Sequence, residues 1–65
     1  MSHIEQVKEM IRVLLRQADS DELPAVFTPT RAIAALVDDA TAQRLYREVA
    51  GEIEAESGIK FAWVA

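Results

Sequence analysis

The chain has no cysteine and only one histidine, His3. A disulfide framework, thiolate catalysis, cysteine-ligated zinc and an imidazole cluster are therefore excluded. Its two glycines, Gly51 and Gly58, cannot form a glycine-rich phosphate cradle. The serines and threonines lack a credible base, because the lone imidazole lies in no catalytic pattern. Ser20, Thr28 and Thr30 read instead as turn and cap residues. No apolar run approaches the ~18 residues of a membrane span, and no basic block followed by an apolar stretch marks a leader. A cytoplasmic, non-membrane protein is the expectation. No cofactor and no metal site is expected.

Positive charge is also in short supply. Seven basic residues face eleven acidic ones, a net charge of −4, so the long-range field repels phosphate backbones. Apolar residues make up 51% of the chain, too many for disorder. At 65 residues it should form one domain spanning residues 1–65, close to the size at which a single core is barely sufficient. Association with a second copy is one route to more buried surface.

From Ile4 to Ala18, Ile4, Val7, Ile11, Leu14 and Ala18 recur in steps of three and four, with Met10 and Leu15 widening the stripe. That spacing predicts an amphipathic helix, and Glu5 and Glu9 ahead of Arg12 and Arg16 complement its dipole. Asp19-Ser20-Asp21-Glu22 is a polar stop, and Pro24 disfavours helix at Leu23. Ala25-Val26-Phe27 suits an extended segment. Thr28-Pro29 reads as an N-cap with proline at the first helical position, opening a second helix from Pro29 to about Val37.

Further on, the apolar stripe changes face. At ~100° per residue, Ile33, Leu36, Val37 and Ala40 lie on one side, and Ala42, Leu45, Tyr46, Val49 and Ile53 almost opposite. One straight helix cannot bury both sets, so a break at Asp38-Asp39 should start a third helix running to about Glu56 and ending at Ser57-Gly58. Ile59, Phe61 and Trp63 then alternate with Lys60, Ala62 and Val64 at strand period. The expected fold is mainly α: a small three-helix domain with a short C-terminal extended segment, pairing either with residues 25–27 or with a second chain.

The helix, turn and helix about Asp38-Asp39 can be set against the helix-turn-helix of bacterial regulators. Alignment on Ala34 places Asp38 at the turn, but puts Asp39 where an apolar residue is required and Arg44 rather than Leu45 at the next anchor. The fit misses by one residue, and two aspartates at the head of a recognition helix repel phosphates. Arg31, Arg44 and Arg47 are the candidates to offset them if helix 39–56 serves a dimeric helix-turn-helix or winged-helix-like transcriptional regulator.

Glu48, Glu52 and Glu56 recur every fourth residue, placing three carboxylates in a row. A helical row does not wrap an ion, so a solvated face or a partner surface is the better reading than a metal site. Lys8, Arg12 and Arg16 form a matching basic row that could pair with the acids within or between chains. The aromatic tail is the second candidate surface: Ile59, Phe61, Trp63 and Val64 must cover either the chain's own core or a partner. The reading these features favour is a small, acidic, non-enzymatic protein that binds another protein as regulator, antagonist or adaptor, and does so as a homodimer.

Overall fold

The computed structural model describes residues 3–17 and 22–63. Ala18, the polar stop at Asp19, Ser20 and Asp21, and Val64 lie outside the described residues. Three helices and two very short strands follow in the order α1 (His3–Gln17), β1 (Glu22–Leu23), α2 (Arg31–Ala34), α3 (Asp39–Ser57) and β2 (Ala62–Trp63). The protein is mainly helical, with a two-strand element near its C-terminal end.

The break between α2 and α3 falls where the stripe changes face. Asp38 leaves helical geometry with φ −77° and ψ 170°, and its carboxylate accepts the Thr41 N–H at 3.3 Å as the N-cap. Ile33 is buried beneath α2, Leu36 and Val37 are partly buried in the turn that follows, and Ala40 is exposed. Ala42, Leu45, Tyr46, Val49, Ala50 and Ile53 form the buried face of α3. Gly58 ends that helix in the left-handed region at φ 70°, where its missing Cβ removes the usual steric penalty.

Three expectations need correction. The second helix begins at Arg31, capped by Thr30 rather than Thr28: the Thr30 hydroxyl accepts the Ile33 N–H at 3.3 Å. It is a single turn, because the chain must reverse before Asp38 to bring the opposite face of α3 inward. On α1 the buried row is Val7, Ile11 and Leu15, at four-residue spacing, whereas Ile4 and Leu14 are each 37% exposed. A row at constant spacing of four follows one ridge of the helix, the geometry by which ridges pack into the grooves of a crossing neighbour; here that neighbour is α3.

The third correction concerns the tail. Its strand covers only Ala62–Trp63, and within the chain its partner is not residues 25–27 but Glu22–Leu23, in parallel register with Glu22 opposite Ala62 and Leu23 opposite Trp63. A parallel pair requires a long crossover, and here the crossover carries α2 and α3. Residues 25–27 are unavailable for pairing because α3 side chains already occupy their backbone. The Phe27 N–H donates to Gln43 Oε1 at 2.6 Å, and Gln43 Nε2 donates back to the Phe27 carbonyl, so that one side-chain amide replaces a neighbouring strand. The Tyr46 hydroxyl donates to the Pro24 carbonyl at 3.1 Å and Arg47 Nη2 to the Ala25 carbonyl at 3.2 Å.

Candidate functional site

Both surfaces singled out in the sequence are engaged within the chain. In the acidic row, Lys8 Nζ lies 3.5 Å from Glu48 Oε1 and donates to Glu52 Oε1 at 3.4 Å, while Arg12 Nη2 donates to Glu52 Oε2 at 2.9 Å. The basic row of α1 thus meets the acidic row of α3 inside one molecule. Glu56 is exposed, as is Arg16. Arg12 also donates to Glu9 at 2.7 Å, one helical turn earlier.

These contacts set the ionisation of the pair. Partial burial would raise the Glu52 carboxyl, but hydrogen bonds and charge from Arg12 and Lys8 outweigh it and hold its pKa below the ordinary carboxylate value. A carboxyl depressed on folding adds stability above its unfolded pKa, about 4.3. That contribution is lost as pH falls through the lower folded value. Urea melts from neutral pH down to acid should therefore show wild type more stable than Glu52→Gln near neutrality, with the gap closing below about pH 4. A gap independent of pH would mean that the ion pairs contribute nothing to folding.

The tail is held just as closely. The Phe61 N–H donates to Glu54 Oε2 at 3.0 Å, which gives a purpose to an acid near the negative end of a helix. Phe61 and Trp63 are partly buried against the core, while Ile59 is 53% exposed. Trp63 stands edge-on to Tyr46 at 5.6 Å between centroids, and the Arg47 guanidinium lies 5.2 Å over its ring. On the far side Phe27 stacks on Tyr46 at 4.8 Å.

Of the nucleic-acid candidates, Arg47 is therefore committed to Trp63 and the Ala25 carbonyl. Arg31 is exposed on the one-turn α2. Arg44 is exposed on α3; hydrogen bonds from Thr41 and, more weakly, the charge of Arg44 keep the pKa of Asp38 low. Two aspartates remain at the head of α3.

An apolar groove lies elsewhere. It runs beside α1 with a volume of about 380 Å³, lined by Gln6, Glu9, Met10, Val13 and Leu14 of α1 and by Thr30 and Ile33 from the α2 region. Val13 is 44% exposed. Isolated surface hydrophobics require no explanation; here three adjoining ones line one groove. A sequence signal was present: Ile4, Val7, Met10, Ile11, Val13, Leu14 and Leu15 cover about 200° of α1 at ~100° per residue, far more than one packed face needs.

Among the described residues no group of three or more metal-ligating side chains converges, and no helix is long and apolar enough to cross a membrane. Set against known proteins, the sequence matches no family model and no curated protein, and the fold matches no solved structure.

Proposed function

We propose that this chain is a small, acidic, cytoplasmic binding protein that acts without catalysis, as a regulator, antagonist or adaptor of another protein, and works as a homodimer. The observation that carries the reading is the groove along α1, an apolar surface lined by Met10, Val13, Leu14 and Ile33 together with Gln6, Glu9 and Thr30. Such a groove has the chemistry that receives the apolar face of an amphipathic helix.

Affinity capture from native lysate, with and without nuclease, tests the proposal when wild type is run beside Val13→Lys. Position 13 is solvent-accessible and lysine is a good helix former, so the variant should keep its fold. Wild type should retain a protein, untagged copies of the chain included, after nuclease treatment, and Val13→Lys should lose it. Retention that vanishes with nuclease and depends on Arg31 and Arg44 would favour the DNA-binding alternative. Capture indifferent to Val13 would remove the groove from the argument.

A further inference from the structure

We infer that the groove of α1 receives α1 of a second copy, the two helices running antiparallel about a twofold axis that passes between Met10 and Val13. The inference rests on the binding reading above and names its occupant. Besides the row that packs on α3, α1 carries a second seam: His3, Gln6, Met10, Val13 and Gln17 follow one another in steps of three, four, three and four over the whole helix. That spacing keeps the five in one row along the helix surface. Its two central members, Met10 and Val13, are apolar and line the groove, with polar His3, Gln6 and Gln17 towards the ends. About the proposed axis Met10 faces Val13 of the second copy, and Gln6 faces Gln17, so that apolar meets apolar and amide meets amide.

Charge selects the antiparallel direction. Glu9 and Arg16 are seven residues apart and therefore share one flank of the seam, and both are solvent-exposed. In an antiparallel pair each flank faces the same flank of the other helix, so Glu9 meets Arg16 of the second copy twice over by symmetry. Glu9 already accepts from Arg12 through Oε2, and a carboxylate can accept further hydrogen bonds. In a parallel pair this flank would face the opposite one, whose exposed member is Leu14, and Glu9 would meet a side chain with no charge. A strongly basic or strongly acidic partner would satisfy only half of this mixed flank. A second copy satisfies both halves.

Sedimentation equilibrium of the full chain, from low-micromolar to sub-millimolar concentration, tests the inference. Wild type should show a monomer–dimer equilibrium. Glu9→Arg and Arg16→Glu should each raise the midpoint about ten-fold, since two symmetric attractions become repulsions. An equimolar mixture of the two variants should return to wild-type association as a heterodimer. Because the chain has no cysteine, Gln6→Cys mixed with Gln17→Cys should oxidise to the mixed disulfide. Crosslinking of Gln6→Cys to itself would overturn the antiparallel arrangement, in which those positions lie about 16 Å apart along the axis. A mixture of charge variants that stays monomeric while both remain helical by circular dichroism would overturn the pairing. Should wild type stay monomeric throughout yet capture another protein in a Val13-dependent way, the groove reading stands and self-pairing falls.

Discussion

Tyr46→Ala is expected to cost the chain about a third or more of its stability. The ring is 2% exposed and stands between Phe27, stacked on one side, and Trp63, edge-on at the other. Its hydroxyl closes the Pro24 carbonyl. Truncating a buried aromatic to alanine typically costs about 3–5 kcal/mol. A 65-residue domain holds on the order of 3–10 kcal/mol in total. The loss therefore takes between about a third and all of the margin. Tyr46→Phe keeps the ring contacts and removes only the donor, so it should cost about 1 kcal/mol and lower Tm by about 4–8 °C. Far-ultraviolet circular dichroism with urea titration reads both. If Tyr46→Ala melts within a few degrees of wild type, Tyr46 is not the residue that ties the 24–27 segment and the tail to α3.

Removing residues 61–65 should come second in effect, at about 2–4 kcal/mol, from lost burial of Phe61 and Trp63 together with the ring pair and the cation–π contact. Since β2 pairs with β1 of the same chain, the loss should appear first as a lower Tm. Trp63 is the only tryptophan, so its fluorescence in the intact chain follows release of the tail without interference. A shortened chain that keeps its Tm but loses a captured partner would return the docking role to Phe61 and Trp63.

These contacts also explain how far the sequence could be read. The helix boundaries at Asp38 and Gly58 were legible because capping is local: an aspartate three residues before an available N–H, and a glycine where the backbone turns left-handed. The strand partner was harder to read. Val26 and Phe27 have the side chains of a strand, yet their segment is taken by Gln43, whereas Leu23 announced itself only as the residue before a proline, a position that favours extended geometry. The groove was the least legible feature. Periodicity shows how many apolar residues α1 carries, but which of them face α3 depends on the crossing of two helices, and that is a property of the packed pair and not of either stripe alone.

The pairing of Leu23 with Trp63 has a kinetic consequence. Helical proteins usually fold quickly because their contacts are local. Here the small sheet forms only after the whole crossover carrying α2 and α3 has been closed, and the α1–α3 ion pairs also join residues far apart in sequence, Lys8 with Glu52 among them. Closing a loop of that length lowers chain entropy before the contacts that stabilise it exist. The folding rate should thus resemble that of a mixed α/β domain more than that of a helical bundle.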